Sequence, residues 1–413
     1  MGNRFSYTHL FSIKISPRKF FAVTILISGT LAWFFLIQMY FFEIFSRYSV
    51  DVSWTYFGLF LFYGVGVLSA IIGSSVSEKV NRRKLVFLWI VFGVVVTVSL
   101  TMFQGEVFTL IFGVLLGISF GFGFPSCAAL LADFTVPEER AKVSGVVILT
   151  TFILIALLGM IIIPLLNIGL IGAILVFAAL RTFSMIGLAL DKCDRKSGKT
   201  GSWFSVLKYR GFASYVVPWV LFNATVGLLS WWDIPQTSEF VYVTTIGVSL
   251  AYVSIAFSGL IAGVVADRFG RRQPIMISFV MLGVSFVLLT FYLTPLILLI
   301  YYITYGVAWG FLFTLYLAVP GDLSYSGSKE KFYALGAMMP LIVYMSLSTA
   351  SAFINFSVSA TFLSGISTII LFLSIIPVHR ATETLPEKTI REGKLKEHIR
   401  KVAKLKKELE QTK

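Results

Sequence analysis

The chain has 413 residues, of which 57% are hydrophobic and 13% charged, and its formal net charge is +14. A soluble domain carries about 25% charged residues and fewer than half apolar ones, so this composition excludes an ordinary soluble domain. Uncharged stretches of about 20 residues, the length that spans a bilayer as a helix, recur along the whole sequence. The composition therefore predicts a polytopic membrane protein.

Twelve apolar stretches predict twelve membrane-spanning helices and an all-α fold. The first stretch has charged flanks and is followed by many others, which is typical of a membrane anchor and not of a cleaved signal. Residues that turn or break a helix mark the short outer hairpins: Gly105-Glu106, Pro164 to Asn167, Thr294-Pro295 and Asn355. The predicted spans cover residues 20–42, 54–76, 85–104, 107–131, 143–164, 168–188, 212–232, 243–265, 274–292, 296–320, 333–353 and 356–377.

The basic residues indicate the orientation in the membrane. Once the spans are threaded alternately, Lys and Arg gather on one side, and only Arg47 remains on the other. This positive-inside bias predicts a multi-pass protein of the cell (plasma) membrane with both termini in the cytoplasm. The charge thus reflects topology rather than a phosphate-binding surface, and no nucleic-acid partner is predicted. The basic side carries Lys14, Arg18 and Lys19; Lys79 to Lys84; Arg140 and Lys142; Lys192 to Arg210; Arg268 to Arg272; and Lys329, Lys331 and the tail.

A polar stretch divides the chain. Residues 191–211 include DRKSGKTGS, a composition typical of a flexible cytoplasmic linker. The linker separates a predicted N-terminal six-helix bundle, residues 1–190, from a C-terminal bundle, residues 212–377. Residues 378–413 form a basic cytoplasmic tail, in which an amphipathic helix could rest on lipid headgroups or join a partner as a coiled coil. The tail residues with helical spacing are Leu395, Ile399, Val402, Leu405 and Leu409.

One internal offset relates the two predicted bundles. A shift of 189 residues carries the loop after span eight onto the loop after span two. At about 30 residues per span this shift is six spans, an even number, so both loops face the same side. Parallel repeats of this kind are one of the standard designs of secondary transporters. The matched residues are Asp267 with Glu78, Arg268 with Lys79, Gly270 with Asn81, Arg271 with Arg82, Arg272 with Arg83, Gly263 with Ser74 and Asp322 with Asp133.

The loop after span eight has the form of a helix end followed by a tight turn. Gly263 lets a neighbouring helix approach closely, and Gly270 can adopt a positive φ. In the first copy Asn81 takes the place of Gly270, because Asn is the next most tolerant residue of left-handed geometry. The loop reads Gly263-x3-Asp267-Arg268-x-Gly270-Arg271-Arg272.

With this loop the chain resembles the major facilitator superfamily, whose signature reads G-x3-D-R-x-G-R-R/K. The second copy matches the signature at every defining position, whereas the first copy is degenerate at Ser74, Glu78, Lys79 and Asn81. The stretch from Pro137 to Gly145 is also similar to the loop after the fourth helix of this family. The resemblance covers nearly the whole chain and implies two pseudo-symmetric six-helix bundles.

In the superfamily this loop is a conformational latch. The resemblance implies that Asp267 caps a helix of the opposite half and that Arg271 or Arg272 pairs with Asp322. The alternative is that these charges merely flank the membrane. The predicted latch residues are Asp267, Arg268, Gly270, Arg271, Arg272 and Asp322 in the second half and Glu78, Arg82, Arg83, Asp133 and Arg140 in the first.

Span ten carries an aromatic stripe that either lines a solute cavity or packs against other helices. Tyr302, Tyr305, Trp309, Phe313 and Tyr316 fall within about 80° of the helix circumference. Because spans one, four, seven and ten line the central cavity of the superfamily, the resemblance implies that the stripe faces solute. The predicted cavity residues are Trp33, Gln38, Asn223, Tyr302, Tyr305, Trp309 and Tyr316, with an interhelical hydrogen bond as the alternative for Asn223. In span four, Gly113, Gly117 and Gly121 predict close packing at a moving interface.

Ionisable groups are scarce inside the spans. Glu43 and Asp233, at the outer ends of spans one and seven, are the only acids placed for proton coupling, and the alternative is that both are simply solvated. Arg181 is the only basic residue within a span, where an anion site, snorkelling and interhelical pairing are the alternatives. Cys127 and Cys193 support neither a disulfide framework nor a metal site, and no cofactor is predicted.

These features favour a secondary transporter or facilitator that moves a small organic solute by alternating access, in a rocker-switch motion. A cavity that is aromatic and poor in charge suits a neutral or partly apolar solute. The alternatives are a proton-coupled multidrug or metabolite exporter of the same superfamily and a non-transporting solute-binding membrane protein. An enzyme is not predicted, because no base, nucleophile or metal ligand lies at depth. The predicted partners are the solute and membrane lipid, and the protein is expected to be monomeric.

Overall fold

The structure, a computed structural model, describes residues 14–47, 51–103, 105–190, 202–233, 235–324, 329–353 and 358–387. The helices of the first half are α1 (Pro17–Met39), α2 (Phe41–Phe45), α3 (Val52–Val76), α4 (Arg82–Ser99), α5 (Glu106–Gly121), α6 (Phe124–Phe134), α7 (Pro137–Ile168) and α8 (Leu170–Leu190). Those that follow are α9 (Trp203–Leu207), α10 (Arg210–Leu228), α11 (Ser238–Phe269), α12 (Arg272–Phe291), α13 (Pro295–Leu323), α14 (Lys329–Tyr333), α15 (Pro340–Phe353) and α16 (Ala360–Arg380). Strands β1 (Trp232–Asp233) and β2 (Val358–Ser359) form one short parallel pair.

Eleven helical segments in these ranges are long and apolar enough to cross a membrane. Helices α5 and α6 together form one segment, and α14, a π-helical turn and the start of α15 form another. The remaining predicted span, 85–104, corresponds to α4. This helix has only 18 residues, and its first three are Arg82, Arg83 and Lys84, so it contains no uninterrupted apolar stretch of 18 residues. The chain therefore has the predicted all-α, multi-pass membrane architecture. The tail helix predicted over 391–413, Cys193 and Asn355 lie outside the described residues, and the domain boundaries stay a prediction.

Local chemistry sets several of the helix ends. Thr294 caps α13, because its hydroxyl accepts a hydrogen bond from the N–H of Ile297 at 3.3 Å. Gly105 precedes α5 with a φ of 117°, a left-handed conformation that favours glycine. The predicted helix break at Pro164 is wrong, because α7 continues through it to Ile168. Membrane helices tolerate proline where packing against neighbours compensates the lost hydrogen bond.

The 189-residue repeat is visible in the packing within each half. Gly121 of α5 lies against α3, next to the hydroxyl of Ser69, and Gly310 of α13 lies against α11, next to the hydroxyl of Ser258. Both serine hydroxyls donate to backbone carbonyls of their own helices, at 3.0 and 3.4 Å. The two halves are therefore built on the same glycine-and-serine contact between their second and fourth spans.

The glycines of span four pack closely, as predicted, but not at a boundary between the halves. Gly113 lies against the backbone of Gly58, and Gly117 lies against the backbone of Phe62, both on α3. These contacts join two helices of the same half. The prediction of close packing is confirmed, whereas its assignment to a moving interface is wrong, because these contacts join two helices of one half.

The halves meet where α7 crosses α11. A Cβ on Gly145 would collide with the backbone of Gly259, and a Cβ on Gly263 would collide with the backbone of Ala141. Missing side chains therefore let the two backbones touch, as expected for helices that associate in a membrane. The crossing lies toward the end of the bundle that carries Arg82, Arg140 and Arg271, which we call the basic end.

Candidate functional site

A cavity of about 430 Å³ lies between the two halves. Helices from both halves line it, and most of the lining side chains are aromatic. From the first half the lining includes Leu31, Phe34, Phe35, Gln38, Tyr63, Phe120, Phe124, Ile148 and Phe152. From the second half it includes Trp219, Val226, Leu229, Val248, Ala251, Tyr252, Ile255, Tyr301, Tyr302, Tyr305, Trp309, Phe313, Tyr316, Leu317, Ala337, Met338, Leu341 and Tyr344.

The structure brings most of the predicted cavity residues together. Gln38, Tyr302, Tyr305, Trp309 and Tyr316 line the cavity, so the aromatic stripe of α13 faces the space between the halves. On the opposite side Phe35 contacts Phe313 edge to face, with ring centres 5.5 Å apart.

Trp33 and Asn223 are not among the lining residues. The indole N–H of Trp33 donates to the hydroxyl of Thr97 at 3.2 Å, inside the first half. The amide of Asn223 donates to the carbonyl oxygen of Trp219 on its own helix at 2.8 Å, which satisfies it without a solute or a second helix. The sequence did not predict either placement, because the residue pattern of a helix that is apolar on all sides does not show which face points to the cavity.

Besides the indole N–H of Trp309, two polar atoms on opposite sides of the cavity have no hydrogen-bond partner. They are the hydroxyl of Tyr63, on α3, and the indole N–H of Trp219, on α10, and both are buried. The indole of Trp219 is held by stacking on Tyr316, with ring centres 4.6 Å apart and planes 16° apart. A buried donor without a partner is costly, so each would gain from a solute that accepts a hydrogen bond.

At the basic end, the loop after α11 contacts the first half through a buried carboxylate. Asp267 accepts hydrogen bonds from the backbone N–H groups of Ala141 at 3.1 Å and Lys142 at 2.8 Å. It also pairs with Nη1 of Arg271 at 2.6 Å, and Nη2 of Arg271 donates to the carbonyl oxygen of Pro137 at 2.5 Å. The ion pair of Asp267 and Arg271 thus provides hydrogen-bond partners for two backbone N–H groups and one backbone carbonyl oxygen in the first turns of α7.

Asp322, at the end of α13, lies between two arginines from different halves. Its carboxylate is 2.9 Å from Nε of Arg271 and 2.5 Å from Nη1 of Arg140. The side chains of Asp322 and Arg271 are fully buried, and that of Arg140 is 5% exposed. Burial alone lowers the pKa of Arg271, but the carboxylates of Asp322 and Asp267 outweigh it and raise that pKa above its usual value. Arg271 is therefore always charged.

The first half repeats this arrangement around Asp133, the counterpart of Asp322. Arg82 contacts Asp133 of its own half and Glu330 of the other half. Lys329, from the second half, lies 2.5 Å from the carboxylate of Asp133, as Arg140 does from Asp322. The ion pairs that join the halves within the described residues are all at this end.

Three charged residues of this network were not predicted. Lys329, Glu330 and Lys331 follow the described end of α13 and open α14, and Lys331 pairs with Glu78 at 2.6 Å. The same shift of 189 residues that matches the two loops carries Arg140 onto Lys329 and Lys142 onto Lys331. The repeat therefore holds a signal for Lys329 and Lys331, in addition to the loop residues and the two aspartates that it matches.

The segment after α16 also contacts the second loop. Glu383 accepts hydrogen bonds from the N–H groups of Arg271 at 2.8 Å and Arg272 at 3.2 Å, at the start of α12. A carboxylate at a helix N-terminus is favourable, because the free N–H groups there carry partial positive charge. Arg272 turns toward the end of α16, where its Nε donates to the carbonyl oxygen of Val378 at 3.2 Å. Asp322 therefore pairs with Arg271 and not with Arg272, the other partner that the resemblance implied.

The other predicted loop residues have separate contacts. Gly270 has a φ of 101°, as expected, whereas Asn81 has a φ of −58°, so its predicted left-handed role is wrong. Asn81 instead caps α4 and accepts a hydrogen bond from the N–H of Arg83 at 3.0 Å. Arg83 donates to the carbonyl oxygen of Leu188 at 3.3 Å. Arg268 lies over the ring of Phe269 and forms no ion pair with the described residues.

Asp267→Asn should lower the thermal stability of the purified protein more than Glu78→Gln does. Asp267 is buried with two backbone donors and Arg271, whereas Glu78 is 20% exposed and pairs with one lysine. Losing a charge-assisted buried bond costs about 1.5–3 kcal/mol, and a single pair that is partly open to water contributes less. Thermal unfolding of both variants measures the difference. Equal melting temperatures would show that Asp267 only flanks the membrane.

The scarce ionisable groups have different surroundings. Glu43 is exposed on α2, and nothing is described of the side chain of Asp233, so their coupling role stays a prediction.

Arg181 is fully buried, with two hydrogen bonds to other helices, so snorkelling is wrong and interhelical pairing is confirmed. Burying a charge in a membrane protein costs several kcal/mol, and the cation–π contacts of Arg181 with Trp33 and Trp89 recover about 2 kcal/mol each.

Two related helical halves, a central cavity between them and paired loops at one end define a multi-pass membrane transporter, not an enzyme. The family model of the Major Facilitator Superfamily matches residues 20–339, and the chain belongs to this superfamily. The fold is similar to the crystal structure of the human organic anion transporter MFSD10 (TETRAN), with a TM-score of 0.64 and 14% sequence identity over 88% of this chain and 100% of that one. No curated protein sequence matched the chain.

Proposed function

We propose that the protein moves a small, uncharged and largely aromatic organic solute across the membrane by alternating access. The observation that carries this proposal is the cavity lining, in which rings from both halves enclose the space. No Lys, Arg, His, Asp or Glu belongs to the lining within the described residues. The volume of about 430 Å³ lies in the range of small-molecule sites, about 300–1,000 Å³.

The buried ion pairs at the basic end support the alternating-access part of the proposal. Arg140 with Asp322, Lys329 with Asp133 and Lys331 with Glu78 each join the two halves. A state open at this end requires all of them to separate, together with the bonds of Asp267 to α7. In a rocker-switch motion the halves would rotate about the central site while these contacts form and break. The predicted latch residues would then stabilise the state closed at the basic end.

The solute class follows from the charge of the lining. MFSD10 is described as an organic anion transporter. An anion in a desolvated cavity needs a cationic partner, and none lines this cavity. The unpartnered donors of Tyr63 and Trp219 suit a neutral solute that carries hydrogen-bond acceptors. A solute that accepts from both would bind each half at once.

The orientation and the energy source are part of the same proposal. The positive-inside bias supports a cytoplasmic position of the basic end and of both termini, in the cell membrane. Proton coupling through Glu43 and Asp233 is tested by the dependence of flux on a pH gradient. The proposed working form is a monomer surrounded by lipid.

Binding of matched probes tests the solute class. An aromatic carboxamide should raise the melting temperature of the purified protein, because it binds only the folded state, whereas the carboxylate of the same skeleton should not. Tyr63→Phe removes one donor and keeps the ring, whereas Trp219→Phe removes the other donor and replaces the indole by the smaller phenyl ring. Each should weaken carboxamide binding about 5- to 10-fold, the value of one hydrogen bond of about 1–1.5 kcal/mol.

Tyr242→Phe and Trp54→Phe are matched controls, because both side chains are exposed and lie outside the lining. Neither control should change binding. Flux of the bound carboxamide into proteoliposomes then separates a transporter from a protein that only binds solute. Preferential binding of the carboxylate would contradict the proposed class, and binding without flux would contradict transport.

A further inference from the structure

The short helix α9 belongs to the predicted linker between the halves, and it packs on the second half. Val206 of α9 is fully buried in an apolar cluster that also contains Phe212 of α10 and Phe332 of α14. The chain passes from α9 into α10 within three residues, because α10 begins at Arg210. Packing and chain connection therefore both hold α9 on the second half.

Trp203, the first residue of α9, contacts the other half. Its indole N–H donates to the hydroxyl oxygen of Ser75 on α3 at 3.2 Å. Ser75 follows Ser74, which the 189-residue shift matches with Gly263. The bond therefore lies at the position in the first half that corresponds to the contact of Gly263 with Ala141 in the second.

The ring of Trp203 also lies beside an ion pair that joins the halves. Nζ of Lys331, on α14, is 5.4 Å from the centre of this ring and 2.6 Å from the carboxylate of Glu78 in the first half. A cation within about 6 Å of an aromatic ring centre is attracted to the ring. Trp203 thus contacts α3 directly and stabilises the lysine that pairs with the loop after α3.

We propose that Trp203 is a further positioning residue of the latch, through which the linker holds the first half against the second. Since α9 stays with the second half, a state open at the basic end has to break the bond between Trp203 and Ser75. This inference rests on the alternating-access part of the proposed function. It assigns a conformational role to the linker, in addition to its role as a covalent connection.

The degenerate first loop gives this contact its importance. In the second loop, Gly263 lets two backbones touch, and Asp267 accepts hydrogen bonds from the backbone of α7. The first loop has Ser74 and Glu78 at these positions, and Glu78 pairs with a lysine side chain of the other half. The bond of Trp203 therefore adds a direct contact in the half whose loop departs from the signature.

Alkylation of a cysteine placed between the halves tests the proposal. Ala132 of the first half is 5% exposed, and its side chain lies against Gly321 of the second half. In a chain with Ala132→Cys, Cys127→Ala and Cys193→Ala, a water-soluble maleimide should react when the basic end opens. If closing is faster than alkylation, the rate of alkylation is proportional to the population of the open state.

Trp203→Phe should raise this rate about 3- to 10-fold, the effect of losing one hydrogen bond. Ser75→Ala removes the acceptor of the same bond and should have a similar effect, and the two substitutions together should raise the rate no further. Trp203→Leu also removes the ring beside Lys331 and should raise the rate more than Trp203→Phe does. Unchanged rates in folded Trp203→Phe and Ser75→Ala proteins would overturn the proposal.

Trp231→Phe is the matched control, because the indole of Trp231 donates to the carbonyl oxygen of Leu347 at 3.0 Å within the second half. It should lower the melting temperature without raising the alkylation rate. An equal rise in this control would mean that alkylation follows general stability, and the proposal would be overturned.

Asp322→Asn separates the failure of this inference from that of the proposed function. It should raise the alkylation rate whatever the role of α9, because it removes an ion pair between the halves. If Asp322→Asn raises the rate and the Trp203 variants do not, only the role of Trp203 is contradicted. If none of these variants raises the rate, alternating access at the basic end is contradicted as well.

Discussion

Replacing Asp322 by asparagine should shift the protein toward a state that is open at the basic end. The substitution removes the negative charge that Arg271 and Arg140 share from opposite halves. Leaving a buried charge without its partner costs about 3–5 kcal/mol. The group left in this way is Arg140, because Arg271 keeps its pair with Asp267. An energy of about 3 kcal/mol changes the ratio of the open to the closed state roughly 150-fold, and the open state is the one that lets the guanidinium group of Arg140 reach water.

Distances between spin labels at the basic end measure this shift. Lys84 and Arg380 are exposed there, one in each half, and can carry labels after Cys127 and Cys193 are replaced by alanine. The two labels lie farther apart when the basic end is open, and this longer distance should dominate in Asp322→Asn. Asp51→Asn is the control, because Asp51 is an exposed cap of α3 at the other end. An unchanged distance distribution in folded Asp322→Asn protein would contradict a role of this residue in closing the basic end.

Gly263→Val should keep the two halves apart at the basic end without unfolding either of them. Gly263 lies against the backbone of Ala141, so the two helices cannot touch once a side chain stands between them. The halves can relieve the collision by separating, and the variant should show the longer label distance and little flux. Its melting temperature should fall only slightly.

Gly306→Val is the matched comparison, because Gly306 makes an equally close contact with the backbone of Ala251 but within one half. That collision cannot be relieved by separating the halves, and overpacking costs about 1–3 kcal/mol. The variant should therefore lose thermal stability without a change in label distance. If Gly263→Val behaved in the same way, α7 and α11 would form a fixed contact and not a moving one.

The sequence was sufficient to predict the fold because its strongest signals are long. Hydrophobic stretches, one basic side and a repeat of 189 residues each depend on many positions, so single exceptions such as α4 do not change the result. Helix ends depend on one or two residues, so their predicted positions differ more from those in the structure. Pro164 looked like an end because proline breaks helices in water, but it lies within α7.

The candidate site was predicted less completely than the fold. The stripe of α13 was found because its aromatic residues share one face, and it lines the cavity. Tyr63, Phe152 and Tyr252 were missed, because each is one ring among many in a helix that is apolar all round. Glu383 was missed for another reason. Its contact with the start of α12 joins residues more than one hundred positions apart, and no periodicity reports such a contact.

The two loops differ in how strongly dissolved salt can weaken them. Glu78 reaches the other half through the side chain of Lys331 and is 20% exposed, whereas Asp267 reaches it through buried backbone groups. Mobile ions screen exposed charge pairs and act much less on buried ones. Raising the ionic strength should therefore loosen the pair of Glu78 with Lys331 more than the bonds of Asp267, while the buried pair of Arg82 with Glu330 still joins the first loop to the other half. Salt would then weaken one pair of the closed end before either loop is released.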